Sequence, residues 1–95
     1  MYARLVMGSV PTGKLNEAIQ LWVDEILPSV QRQKGFKGVR LLVDRQSGKI
    51  ASMGLWETEA DIQATVAWNQ VQVAKFAELF THPPEIGGYE VLVEL

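Results

Sequence analysis

Residues 36–57 hold two stretches of strand character, FKGVRLLVD and KIASMGLWE, separated only by RQSG. Val, Ile, Leu and aromatic residues dominate both, and Asp44, Ser47 and Gly48 bring turn chemistry to the connection. Two strands joined by so few residues must run antiparallel, because a parallel pair needs a crossover of a dozen residues or more. This hairpin fixes the middle of the fold, and the segments on either side must be arranged around it.

Before it, YARLVMGSV reads as a strand closed by Pro11 and Gly13. KLNEAIQLWVDEILPSVQRQ then changes to helical period. At about 100° per residue, Leu15, Ile19, Trp22, Ile26 and Val30 fall within roughly 80° of one another, which makes one buried stripe. Pro28 lacks the N–H that would bond four residues back, so a kink is expected there. A last turn should run to Lys34, with Gly35 as the C-terminal cap. After the hairpin, TEAD resembles a capping box in which Thr58 accepts from the backbone near Asp61. A second helical region should reach about Phe80, THPPEIGG should be a loop, and YEVLVEL the final strand.

The order β-α-β-β-α-β is the split βαβ or ferredoxin-like pattern of an α+β domain spanning residues 1–95. Right-handed crossovers give an antiparallel sheet in the order 4-1-3-2 with both helices on one face. Leu5, Met7, Val39, Leu41, Val43, Met53 and Leu55 supply apolar residues to both faces of that sheet, so the uncovered face should be buried too. A second copy of the chain is the simplest cover, giving a homodimer through the open sheet face. Length argues the same way: a chain of 95 residues buries only about 60–70% of the surface its unfolded form exposes.

Composition removes several function classes. With no cysteine, disulfides and cysteine-held metals are excluded, and one histidine, His82, cannot make a His-rich metal site alone. A net charge of −2 argues against nonspecific nucleic-acid binding. KGFKGV faintly resembles an RNA-recognition motif but falls on the second strand and offers only Phe36 for stacking, so no nucleic-acid partner is expected. No apolar run reaches membrane-spanning length and the N-terminal run is too short for a signal peptide, so no membrane partner and a cytoplasmic location are expected. Six of nine basic residues lie between Arg32 and Lys49, whereas seven acids and only Lys75 follow from Glu57 onward. Solvated faces explain this unevenness, and complementarity between two copies is the sharper reading. Arg40 could pair with an acid across such a dimer or bind an anionic ligand.

GFKGVRLLVDRQSGKIASMGLWETEADI resembles the strand–turn–strand–helix core of the antibiotic biosynthesis monooxygenase-like proteins, which are dimeric α+β barrels. The matching features are Gly35-Phe36 with Gly38, Asp44 to Gly48, and Leu55-Trp56-Glu57 leading into a capped helix; ILPSVQRQKGF and PPEIGGYEVLV resemble the flanks. The resemblance implies a pocket between helices and sheet in each subunit, and activities that include cofactor-free oxygenation of quinols and anthrone-like compounds. Haem-degrading members carry an Asn on the first strand, a Trp on the second helix and a His following it. Here the first-strand positions are Met7 and Gly8, and His82 lies fourteen residues after Trp68 in a Pro-bounded loop, which argues against haem degradation. Quinol-oxidising members carry a His where this chain has Thr65.

The residues that would take part in catalysis are therefore Trp68, Asn69 and His82, with Trp22, Trp56, Thr65 and Phe76 lining the pocket and neither metal nor cofactor required. Each has a plainer role: Trp22 and Trp56 as core, His82 as a solvated loop residue. On one unbroken helix Ile62, Val66, Asn69, Val73, Phe76 and Phe80 would share a face, leaving Trp68 roughly 100° away. Asn69 would then sit in an apolar stripe, where it could orient a ligand; alternatively the helix breaks near WNQ and Asn69 caps the second segment. Two functions stay open: cofactor-independent oxygenation of a small aromatic substrate, or a non-catalytic dimer that binds a small ligand or serves only as structure.

Overall fold

Tyr2–Ser9 forms strand β1 in a computed structural model that describes all of residues 1–95. It lies inside a four-stranded antiparallel sheet, paired on one side with β3 (Lys49–Trp56) and on the other with β4 (Glu85–Glu90). β2 (Phe36–Asp44) pairs with β3, giving the order β2-β3-β1-β4, the one that right-handed crossovers require. The hairpin closes as its residues dictate. Asp44 Oδ1 accepts from the Gln46 N–H at 3.0 Å, and Gly48 takes φ +80 where a Cβ would strike the Val10 carbonyl.

The first helical region contains α1 (Leu15–Leu21), a π-helical turn (Trp22–Ile26) and α2 (Leu27–Val30). The expected kink at Pro28 takes the form of that π turn just ahead of it, in which the Leu27 N–H bonds the Trp22 carbonyl five residues back. The helix ends at Val30, four residues before the expected Lys34, and hydrogen-bonded turns carry the chain to Gly35. Gly35 has φ +82, and a Cβ there would meet the Asp61 carboxylate. Leu15, Trp22, Ile26 and Val30 are buried and Ile19 packs beside them, so the apolar stripe is the face laid on the sheet.

The second helical region differs more from expectation. Thr58 caps α3 (Glu59–Ala64), its side chain accepting from the Asp61 N–H at 3.1 Å. The break then comes at Thr65, not near WNQ, and α4 runs Val66–Ala74. Asn69 caps nothing: its N–H bonds the Thr65 carbonyl inside α4. The Ile62 carbonyl, which accepts from the Thr65 N–H, the Thr65 hydroxyl and Arg4, holds the break in place. Rotation across the break turns Thr65 inward and leaves Val66 42% exposed, so the stripe predicted for one unbroken helix is interrupted. Beyond Ala74 the chain continues to Phe80 mostly through bonds between residues three apart.

The final strand is also displaced. β4 takes in Glu85–Glu90, including half of the expected loop, whereas Val91–Leu95 lies outside the sheet. Pairing of Glu90 with Tyr2 uses up the beginning of β1, and the Val91 N–H makes the last bond, to the Met1 carbonyl. Opposite the helices, Leu5, Met7, Leu42, Ala51, Met53, Leu55 and Tyr89 share the open sheet face, with exposed Arg40 paired beside Met53. No helix is long and apolar enough to cross a membrane.

Candidate functional site

Along β3 the helix-facing positions read Ile50, Ser52, Gly54 and Trp56, so two small residues stand between two large ones. A side chain of Leu size at residue 52 or 54 would fill the space above the sheet. With Ser and Gly there, two adjoining cavities remain beneath the helices. One, of about 60 Å³, reaches from Ser52 toward Gln72, Val73, Phe76 and Phe80. The other, of about 40 Å³, reaches from Ser52 toward Arg4, Trp56 and Trp68. Val6, Trp22, Ile26, Ser52 and Asn69 border both. Each has room for a few waters, since one needs about 10–15 Å³. Trp22 and Ile26 are the two ends of the π turn, so the irregular turn forms part of the roof.

Arg4 closes one end. It shares the helix-facing side of β1 with Val6 and is only 7% exposed. Its Nη1 donates to Thr65 Oγ1 and its Nη2 to the Ile62 carbonyl, both at 2.9 Å. The guanidinium carbon lies 6.0 Å from the Trp56 ring centroid. No carboxylate pairs with it; the ion pairs of the chain are Lys14–Glu17, Lys37–Glu57 and Lys75–Glu25, all on the surface. Burial pushes the Arg4 guanidinium below its usual range, in the direction expected of a desolvated cation.

Two residues that border these cavities each carry a buried polar atom with no partner in the chain: Trp56 Nε1, a donor, and Gln72 Oε1, an acceptor. The Trp56 ring is held edge-to-face by Phe36, with centroids 5.8 Å apart. Gln72 is 7% exposed on the face of α4 that packs over the sheet.

The residues singled out from sequence divide among these places. Asn69 borders both cavities, Trp22 borders both, Phe76 the first, and Trp56 and Trp68 the second. Trp68 and Asn69 thus border one cavity although they are consecutive residues of the unbroken helix α4. Trp68 Nε1 is committed to Ser29 Oγ at 2.6 Å, which ties α4 to α2. Thr65 borders neither cavity but holds Arg4. His82 is exposed, contacts Thr81 Oγ1 through Nδ1 at 2.9 Å, and lies outside both cavities, on an open cleft of about 250 Å³ with Pro83 and Pro84 and another of about 690 Å³ with Met7 and Glu85. Arg4, Ser52 and Gln72 were missed. The available signal was the two-residue period: Arg4 alternates with Val6 on β1, and Ser52 with Ile50 on β3, on the side the amphipathic helices must cover.

No protein-family profile matches the chain. Over 91 residues, 96% of its length, it is 30% identical to the uncharacterised protein Rv2557 of Mycobacterium tuberculosis, of which it spans 41%. A 43-residue match at 44% identity links it to the uncharacterised protein Rv2558 of the same organism, of which it spans 18%. Solved structures align over nearly its whole length. The cofactor-independent oxygenase SnoaB of Streptomyces nogalater superimposes with a TM-score of 0.81 at 18% identity, covering 99% of this chain and 95% of that one. The monooxygenase ActVA-Orf6 of Streptomyces coelicolor, in complex with nanaomycin D, gives 0.82 at 11%, covering 99% and 89%. The NE2512 protein of unknown function from Nitrosomonas europaea gives 0.80 at 21%, covering 99% and 91%. At these identities the likeness is one of architecture: the chain has the ferredoxin-like fold of the antibiotic biosynthesis monooxygenases.

Proposed function

We propose that the protein is a homodimeric member of the antibiotic biosynthesis monooxygenase-like group that binds a small aromatic compound between its helices and sheet and oxygenates it without a cofactor. The observation that carries this reading is the pair of largely apolar cavities that share Asn69 and Ser52 as walls, within a fold shared with a cofactor-independent oxygenase. In such a reaction an anthrone-type CH₂ loses a proton to water, to be returned when the peroxide breaks down, and the carbanion passes one electron to O₂. The radical pair closes a C–O–O bond, and the peroxide collapses to C=O with release of water. The carbon gives up four electrons and O₂ accepts them. The chain's share is to orient the ring on Trp22, Trp68 and Asn69 and to exclude solvent.

A second reading, a ligand-binding dimer with no chemistry, is favoured by one fact: neither cavity is lined by a carboxylate or an imidazole that would take the proton. Oxygen uptake on a panel of quinols and anthrones decides between them. Turnover that falls at least about tenfold in Asn69→Ala and Trp68→Phe supports the enzyme. Binding without oxygen uptake leaves the second reading; neither binding nor uptake on any member removes both.

A further inference from the structure

We infer that Arg4 is an anion-holding residue of this cavity, and that the ligand is an aromatic oxyanion carrying a hydrogen-bond donor at its opposite end. The inference rests on the ligand-cavity reading above and adds the polarity of what the cavity takes.

A guanidinium has five N–H donors in a fixed fork and stays charged. Arg4 uses one on the Thr65 hydroxyl and one on the Ile62 carbonyl. Both partners are neutral acceptors that an uncharged amide side chain could serve equally well. The end of α3 and the Trp56 ring each favour the positive charge in part, but no anion lies beside it. A cation only 7% exposed with no acid beside it is costly to keep, and a bound anion removes that cost. Trp56 Nε1, partnerless on the same cavity, adds a second donor at that end. Both groups can be satisfied only by an acceptor, and the charge selects an anionic one.

At the other end the requirement reverses. Gln72 Oε1 is a buried acceptor without a donor, on the cavity that adjoins the first across Ser52 and Asn69. A ligand hydroxyl or N–H there completes the bonding. Between the two ends the lining is Val6, Trp22 and Ile26, apolar surface for a ring to pack on, although volumes of about 60 and 40 Å³ require the walls to part on binding. A phenolate, enolate or carboxylate at one end and a hydroxyl at the other matches Arg4, Trp56 Nε1 and Gln72 Oε1.

Calorimetric titration with 4-hydroxybenzoate, its methyl ester and 4-methoxybenzoate separates the two ends. The ester removes the charge and the methoxy compound removes the donor. The wild-type protein is expected to bind 4-hydroxybenzoate at least about tenfold more tightly than either. Arg4→Gln should lose the preference over the ester and Arg4→Lys should keep part of it, while Gln72→Leu should lose only the preference over the methoxy compound. These are ratios within one variant, so a purely structural role for Arg4 would leave them unchanged. Should Arg4→Gln fail to fold, the wild-type ratios and Arg4→Lys still decide. Equal binding of all three overturns the inference and leaves the cavity as a ligand site. Binding of none also overturns it, and the anthrone and quinol panel then judges the cavity independently.

Discussion

Arg4 Nη1 reaches Thr65 Oγ1 at 2.9 Å, so a residue of the inner strand β1 bonds the residue at which the second helical region breaks. Strand, helix break and cavity wall are tied together by this contact. Thr65→Val keeps the volume and removes the hydroxyl, leaving Arg4 with one bond fewer in a buried setting. The expected loss is about 1–3 kcal/mol, read as a lower urea midpoint at unchanged slope. Combined with Arg4→Leu the effects should fall well short of additive; full additivity would mean the contact carries nothing.

Gln72 presents the opposite case, a buried oxygen that bonds nothing. Gln72→Leu should hold stability level or raise it by about 1 kcal/mol, because an unsatisfied acceptor is replaced by apolar surface. Thermal melting checks this. A clear loss of stability would show that Gln72 Oε1 is already bonded, to ordered water for example.

Gly35 combines a left-handed backbone, φ +82, with the Asp61 carboxylate where its Cβ would go. Gly35→Ala should cost at least about 1–2 kcal/mol from the backbone alone, with a further steric penalty. In an Asp61→Ala background the carboxylate's share of the steric penalty should disappear, while the Cβ of residue 61, 2.7 Å from the added Cβ, keeps the rest. A double-mutant cycle by chemical denaturation measures the difference.

The Asp44 carboxyl in the hairpin turn is held below its usual range, first by the Gln46 N–H and then by the Ser47 side chain. Its folded pKa is depressed, so its contribution to stability is present above the unfolded carboxylate value of about 3.9. That contribution is lost as pH falls through the folded value. NMR titration should find Asp44 titrating below an unstructured aspartate, and Asp44→Asn should flatten the acid limb of hairpin stability. A normal titration would contradict the turn geometry.

The open sheet face sets the fifth expectation. Leu5, Met53 and Leu55 stand there half-covered by their neighbours, with Leu42 54% and Tyr89 53% exposed. Sedimentation at micromolar concentration should give a dimer, and Met53→Glu should shift it toward monomer. A wild-type monomer would remove the dimer from the proposal.

The sequence was most legible where one local rule governs. The turn at Asp44–Gly48, the cap at Thr58 and the buried stripe from Leu15 to Val30 each depend on residues near in the chain, and each stands as its chemistry requires. Asn69 was harder to read, because its place depended on where the helix broke. Arg4 fixed that point from sixty-one residues away. Between Glu59 and Phe80 the one local sign is Thr65, whose hydroxyl bonds the Ile62 carbonyl three residues back. The end of β4 was similarly non-local: Val91–Leu95 alternates like a strand but has no β1 residue left to pair with.

By itself, then, the sequence determined the element order, the antiparallel sheet and the faces that meet, since turn chemistry, caps and apolar period act over a few residues. The tertiary structure alone decided that Ser52 and Gly54 leave a gap, that Trp68 and Asn69 both border it, and that His82 stays outside. It also turned a strand arginine into an unpaired buried cation facing an aromatic-lined cavity. The physical reason is that burial and hydrogen-bond satisfaction depend on what distant segments bring to the same place. A cation on a strand has no cost until helices cover it and no acid comes with them.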